Sequence, residues 1–402
     1  MDLDRLKPIA DADVANKRIL VRADLNVPIK DGVVTDATRL ERLLPGLRDL
    51  CERGARVVVI SHFGRPKEGP DPTLSLHPAA AKLGDLLERP IQFVPECIGP
   101  TAESAVNALG PGEIAVLENL RFHKGEEKND PDFAAKLARC GDLYVNDAFS
   151  AAHRAHASTE GITRCLPSYA GPLMLEEINA LRTVLDKPQR PTAALVGGAK
   201  VSTKIPILKH LLEKVDKLII GGGMANTFLL SHDVDIGKSL AERDLVESAR
   251  EIMTAAKHKG CAVVLPEDAV IAREFKSGVA HAVVPTLAVP SDAMILDVGP
   301  RTVAHMTDVL KECRTLLWNG PLGAFEIPPF GEGTFALARE AARLTKAGAL
   351  VTVAGGGDTV AALNAAGATG DFTYVSTAGG AFLEWLEGRE LPGVTALARA
   401  QG

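Results

Sequence analysis

Cysteine is scarce in this chain, and the six present (Cys51, Cys97, Cys140, Cys165, Cys261, Cys313) are scattered over 402 residues without a C-x-x-C pair. That excludes a disulfide or zinc framework legible from spacing and fits reduced, cytosolic thiols. No run of about 18 apolar residues occurs, so no membrane span is expected. Met1-Asp2-Leu3-Asp4-Arg5-Leu6-Lys7-Pro8 lacks the apolar stretch of a signal peptide, and the expectation is a cytoplasmic enzyme. Basic charge is not in excess either. Lys and Arg number 45 against 51 Asp and Glu, a formal charge of -6. A general nucleic-acid binder would show a basic stripe instead, so no nucleic-acid partner is expected. Sequence repeats, low-complexity segments and long charge runs are absent too.

The common nucleotide signatures also fail. Gly237-Lys238-Ser239 imitates the end of a P-loop, but the upstream glycine position is His232 and no strand precedes it. Gly221-Gly222-Gly223-Met224-Ala225-Asn226 misses the dinucleotide fingerprint by ending in Asn, which weakens a dehydrogenase reading. His153 and His156 are spaced i, i+3, but no third ligand lies at a spacing that completes a zinc site.

What is present is an alternation of short apolar runs and amphipathic stretches. Strands are expected at Arg18–Ala23, Arg56–Ser61, Ile91–Val94, Ile114–Leu117 and Leu143–Asn146, with helices such as Ala37–Arg53 and His77–Leu87 between them. The same alternation resumes at Thr192 and runs to about Ser376. Near-continuous Val, Ile and Leu separated by helices indicates an α/β chain whose parallel sheets are covered on both faces. Length and a 46% hydrophobic content allow two or three domains. Pro167–Pro172 is expected to break the chain, residues 173–185 to form a hinge helix, and Asp186–Pro191 to break it again. A second candidate hinge is the turn from Ser376 to Gly380, before a helix over Ala381–Glu387.

Three glycine-rich turns follow apolar strands: Gly197-Gly198-Ala199-Lys200, Gly221-Gly222-Gly223 and Gly355-Gly356-Gly357-Asp358. Without a Cβ, backbone N–H groups approach an anion closely, and a following helix adds its positive end. This points to a phosphate-bearing ligand. Lys200 and Lys204, four apart, are expected on one helix start. Asp358 suits Mg2+ beside phosphates, and Glu326 is a candidate acceptor for ribose hydroxyls. In the first half, Asp24, Asn26, Arg39, His62, Arg65, Arg121 and Arg154 lie past successive strand ends, where open α/β sheets bind ligands. Arginines there suit a small phosphate or carboxylate anion.

Arg22-Ala23-Asp24-Leu25-Asn26-Val27-Pro28, Ser61-His62-Phe63-Gly64-Arg65-Pro66, Glu118-Asn119-Leu120-Arg121-Phe122 and Asn146-Asp147-Ala148-Phe149 resemble the phosphoglycerate kinase family. So do His153-Arg154-Ala155-His156, Gly197-Gly198-Ala199-Lys200-Val201-Ser202-Thr203-Lys204, Trp318-Asn319-Gly320-Pro321 and Gly355-Gly356-Gly357-Asp358-Thr359. The matches run in family order from about residue 18 to 388. Phe63 replaces a more usual leucine, and Ala378 stands where the family often has glycine; neither alters a charged group.

The resemblance implies reversible phosphoryl transfer between 1,3-bisphosphoglycerate and MgADP, giving 3-phosphoglycerate and MgATP, by a monomer. It implies two Rossmann-like domains with parallel sheets flanked by helices: 1–170, with the tail 388–402 packing back on it, and 171–387. It assigns Asp24, Asn26, Arg39, His62, Arg65, Arg121 and Arg154 to phosphoglycerate. Lys204, Glu326, Gly356, Gly357, Asp358 and Thr359 go to the nucleotide, with Asp358 at Mg2+. Arg39, Lys200, Gly357 and Gly379 surround the transferring group. A carboxylate is already ionised at pH 7, so as nucleophile or leaving group it needs no general base, in keeping with the absence of a His–Asp or Ser–His dyad. A kinase for another small acid and a non-enzymatic nucleotide-binding relative stay open at this point.

Overall fold

The computed structural model of the chain describes residues 3–67 and 69–399. Its contacts form two compact units: residues up to Ile178 together with the tail from Glu390, and Asn179–Arg389.

The first unit contains β1 (Arg18–Arg22), β2 (Ile29–Lys30), β3 (Val33–Val34), β4 (Arg56–Ile60), β5 (Ile91–Val94), β6 (Ile114–Leu117), β7 (Leu143–Asn146) and β8 (Ser168–Ala170). Its helices are α1 (Thr38–Glu52), α2 (His77–Leu87), α3 (Gly99–Asn107), α4 (Lys124–Glu127), α5 (Pro131–Ala138) and the start of α6 (Pro172–Leu185). The hairpin β2–β3 stands apart; the other strands form a parallel sheet ordered β5-β6-β4-β1-β7-β8. Along β1, Ile19 and Val21 join one apolar cluster with Val57, Val59 and Val116. Leu20 and Val58, alternate in their strands, are fully buried on the other face. Both faces are covered, as the continuous apolar runs required.

Pro167–Pro172 does not simply interrupt the chain. Ser168–Ala170 forms the edge strand β8 beside β7. Pro167 still supplies its carbonyl to Tyr144 N (2.9 Å), and a strand border tolerates its missing N–H. The units divide inside α6 rather than before residue 171. The first half of that helix is fastened to the first unit: Asp147 Oδ1 accepts from Leu173 N (2.7 Å) and Met174 N (3.2 Å), and Arg42 pairs with Glu176 at 3.2 Å.

The second unit holds β9 (Thr192–Val196), β10 (Lys217–Ile220), β11 (Ala262–Val264), β12 (Asp268–Ala272), β13 (His281–Pro285), β14 (Met294–Val298), β15 (Thr315–Asn319), β16 (Val351–Gly355) and β17 (Tyr374–Ser376). Its helices are α7 (Ile205–Leu211), α8 (Gly223–Ser231), α9 (Val246–Lys259), α10 (Pro300–Glu312), α11 (Glu332–Lys346), α12 (Gly357–Ala366) and α13 (Gly380–Leu386). The parallel sheet runs β11-β10-β9-β15-β16-β17. The expected alternation is interrupted between residues 268 and 298 by an antiparallel sheet, β13-β12-β14. One last helix, α14 (Pro392–Arg399), belongs to the first unit, where Gly393 N donates to Ala152 O at 2.8 Å. Residues 400–402 of the expected tail lie outside the described residues.

Asp147 and Asp297 are buried carboxylates that each accept two backbone N–H groups; Asp297 takes those of Val298 (2.8 Å) and Gly333 (2.9 Å). Burial pushes both up to about 7, the hydrogen bonds opposing it. In the unfolded chain each titrates near the ordinary aspartate value of about 3.9. Between these values the folded state holds more protons. The stability they contribute is therefore complete below the unfolded pKa and lost as pH rises through about 7. Asp297→Asn should flatten the fall of the thermal midpoint between about pH 4 and 7. Parallel midpoint profiles for the variant and the parent would remove Asp297 from this account.

Candidate active site

Loops from the carboxyl ends of β1, β4, β6 and β7 converge in the first unit, around the point where strand order reverses beside β1. They enclose a cavity of about 160 Å³ lined by Arg22, Asn26, His62, Arg65, Arg121 and Arg154, with His153 and His156 beside them. Five of the seven expected anion-binding residues are thus brought together. Asp24 and Arg39 stand just behind the lining. Arg39 Nη1 donates to Asp24 Oδ2 (3.1 Å) and Asn26 O (2.9 Å), and Ser150 Oγ donates to the same Asp24 oxygen at 2.5 Å. Asn26 Oδ1 accepts from Gly64 N, and Arg121 Nη1 donates to Gly64 O at 2.6 Å, which fixes the loop carrying Arg65.

In the second unit a cavity of about 560 Å³ lies at the carboxyl edge, over the turns after β9, β10 and β15. Its walls are largely apolar, including Ala199, Leu240, Leu322 and Phe325, while Glu326 and Asp358 supply carboxylates. Gly222, with φ +70°, would place a Cβ 2.6 Å from Gly198 O, so only glycine lets these two turns touch. Gly356, at φ +101°, caps α12 and puts Gly357 and Asp358 in its first turn. Lys204 Nζ donates to Asn319 Oδ1 at 2.5 Å, and Asn319 Nδ2 donates to Gly355 O. Burial lowers the Lys204 pKa, offset in part by Asp358 and Glu387. Thr359 is buried, its hydroxyl oxygen accepting from Gly320 N at 2.7 Å.

One expectation needs correction. Lys200 and Lys204 do not share a helix start: α7 begins at Ile205, Lys204 is its N-cap, and Lys200 is exposed in the turn before it. Ser202 gives both its N–H and its hydroxyl to Glu242, which holds that turn outside the helix. Gly379 caps α13 at φ +57°, and neither cavity is lined by Gly379 or Lys200. Arg22 is the lining residue that position alone did not single out. A charged side chain ending a run of buried aliphatics is the signal that could have found it.

The family model described as phosphoglycerate kinase matches residues 9–389. A phosphoglycerate kinase of Methylorubrum extorquens is 61% identical over 386 residues, covering 96% of each chain. One of Sinorhizobium fredii is 59% identical, also with 96% coverage of both. The solved phosphoglycerate kinase of Coxiella burnetii superposes with a TM-score of 0.92 at 41% identity, covering 99% of this chain and 100% of its own. The Pyrococcus horikoshii structure gives 0.79 at 30%, covering 98% and 99%. The chain belongs to the phosphoglycerate kinase family. It is a kinase of glycolysis that transfers a phosphoryl group between 1,3-bisphosphoglycerate and ADP, giving 3-phosphoglycerate and ATP.

The electrostatics of this kinase's first cavity rest on Arg22, only 1% exposed. Its Nη2 lies 2.9 Å from His62 Nδ1, Nη1 donates to Ala23 O, and Nε donates to Ser158 Oγ. The Ser158 hydroxyl donates in turn to the fully buried Glu126 (2.6 Å). Burial drives His62 well below the ordinary histidine value, and Arg22, Arg121, Arg154 and His156 drive it further. The same causes hold His156 at about 4. His62 and His156 are therefore neutral at pH 7, and the guanidinium groups of Arg22, Arg65, Arg121 and Arg154 supply positive charge to the cavity.

A guanidinium only donates, so His62 Nδ1 must accept and the imidazole proton must sit on Nε2. Nitrogen-15 NMR of the imidazoles should show His62 as the neutral Nε2–H tautomer throughout about pH 6 to 8. Titration near the ordinary histidine value, or the other tautomer, would contradict this network.

Proposed function

We propose that the basic cavity of the first unit holds the phosphoglycerate and that the larger cavity of the second holds MgADP or MgATP. The observation that carries the assignment is the convergence of Arg22, Arg65, Arg121 and Arg154 on one small cavity, against the apolar walls and the carboxylates Asp297, Glu326 and Asp358 of the other. Planar guanidinium forks suit the phosphate and carboxylate ends of a small acid. Apolar walls suit a purine ring, and Glu326, in the same lining, would accept from ribose hydroxyls. Gly356, Gly357 and Thr359 shape the helix start that would face the phosphates, beside Lys204.

Asp358 is exposed in the first turn of α12, one hard oxygen donor beside the expected phosphates, and this fits Mg2+, which takes one or two protein carboxylates together with phosphate oxygens. When bound with the nucleotide, Mg2+ neutralises phosphate charge. The chain's own residues position and stabilise. Arg39, held by Asp24 and Asn26, is a pre-oriented cation for charge on the transferring group. Lys200, exposed on its turn, would reach the same group, with Gly357 and Gly379 leaving room for it. No proton has to be removed from the reacting carboxylate, so neutral His62 serves as a hydrogen-bond donor. We further propose that the enzyme acts as a cytoplasmic monomer, a reading supported by six unpaired cysteines and by the lack, among the described residues, of any helix long and apolar enough to cross a membrane.

Two variants test the residue roles in a coupled assay with 3-phosphoglycerate, ATP and Mg2+. Arg39→Ala should lower kcat about 10²-fold, the loss expected for one preorganised donor. A rise in KM with kcat unchanged would make it a ground-state contact. Asp358→Asn should weaken MgADP binding in calorimetry and leave 3-phosphoglycerate binding intact. Equal losses for both ligands would count against the metal role.

A further inference from the structure

A second set of metal-ligating side chains lies at the carboxyl edge of β5 and β6, outside the cavity lining described above. Glu96 and Cys97 follow β5, and His123 closes the turn Leu120–Phe122 that follows β6. One ligand atom from each lies within 4.8 Å of the others. His123 Nε2 and Glu96 Oε1 are 2.6 Å apart, and the same carboxylate oxygen accepts from Cys97 N at 2.8 Å, which fixes its direction. Cys97 is 1% exposed, and its thiol makes no hydrogen bond among the described residues. We propose that Glu96, Cys97 and His123 form a binding site for one thiophilic divalent cation of the Zn2+ class.

The Glu96–His123 hydrogen bond accounts for two of these groups but leaves the sulfur beside them without a polar partner. A cation would engage all three. Sulfur, imidazole nitrogen and carboxylate oxygen bind Zn2+ at about 2.3, 2.0–2.1 and 2.0–2.2 Å, with a fourth position for water. Reaching those radii from the present spacing takes side-chain movements on the order of an ångström. His123 and Glu96 keep 29% and 38% of their side chains exposed, which leaves a path for the ion and its water. A thiolate and an imidazole select against Mg2+, which prefers oxygen donors, so this site and the nucleotide's metal differ in chemistry. The thiol proton leaves to solvent when the S–metal bond forms. His123 Nε2, which donates to Glu96 in the ion-free state, releases its proton to solvent, the ring takes one up on Nδ1 and stays neutral, and the freed Nε2 lone pair turns to the ion. The ion would cross-link the loops after β5 and β6, stabilising the first unit by mass action.

Co2+ titrated into the full chain is the probe. One equivalent should give a thiolate-to-cobalt charge-transfer band with the visible bands of a tetrahedral site. Zn2+ should erase these bands and excess Mg2+ should not. His123→Gln, at a part-exposed position that endangers folding little, should weaken Co2+ binding by about 100-fold or more, since even outer-shell losses cost about 10–100-fold. Cys97→Ala should abolish the charge-transfer band, while Cys165→Ala, which removes an exposed thiol, should preserve it. Absence of the band in the parent chain, persistence of full affinity in His123→Gln, or loss of the band in Cys165→Ala would each overturn the site.

Discussion

A guanidinium buried at the end of the central strand governs the first unit. Removing such a charge from water costs several kcal/mol unless its hydrogen bonds are met. Arg22 meets them with Ala23 O, Ser158 Oγ and His62 Nδ1, and Ser158 passes the contact on to Glu126. Those partners come from the end of β1, the loop after β4, α4 and the segment after β7. One charge therefore ties four stretches of chain into a single arrangement. The same network orients His62, which burial and the surrounding guanidiniums keep neutral.

The second unit reaches its geometry by close backbone approach. Gly222 lies against Gly198, and Gly197 against Pro321, at separations that exclude a Cβ. This brings the turns after β9, β10 and β15 into contact and leaves an apolar hollow over them. Asn319 then locks two of the remaining parts, taking Lys204 on its oxygen and giving its amide to Gly355. Backbone N–H groups exposed by glycine and side chains held by amides do here what buried charge does in the first unit.

How much of this was legible in the sequence follows from what each feature depends on. Five of the eight strands described in the first unit fell within a residue of expectation, and His77–Leu87 fell on it, because a run of buried aliphatics or an apolar stripe is a local signal. The sheet β13-β12-β14 was not foreseen. β13 is largely exposed, and pairing across 268–298 is decided by tertiary contacts. The division within α6 depends on Asp147 reaching across from β7's end, again a non-local contact. At the site, Asn26, His62, Arg65, Arg121 and Arg154 were found because strand ends project onto one edge. Arg22 was passed over because burial, not position, gives it its importance. Lys200 was misplaced because Glu242, distant in sequence, holds its turn away from the helix.

The candidate site residues of each unit also differ among themselves in how much order a ligand must supply. Arg39 is held by Asp24 and Asn26, Arg121 by Gly64, and Lys204 by Asn319, so their rotamers are set before anything binds. Arg65, Lys200 and Asp358 are exposed, and none makes a side-chain hydrogen bond among the described residues. Fixing each of these on a ligand costs about 0.5–1.5 kcal/mol of side-chain freedom. That cost falls on the groups that must meet an arriving phosphate or metal, while the anchored cations keep their orientation throughout. Cations fixed in advance favour charge that develops in the transition state, because no reorganisation is needed when it appears. Groups ordered by the ligand use part of its binding energy, which restrains ground-state affinity. A transfer reaction that must release its product in either direction gains from that division, since tight ground-state binding would slow release without lowering the barrier.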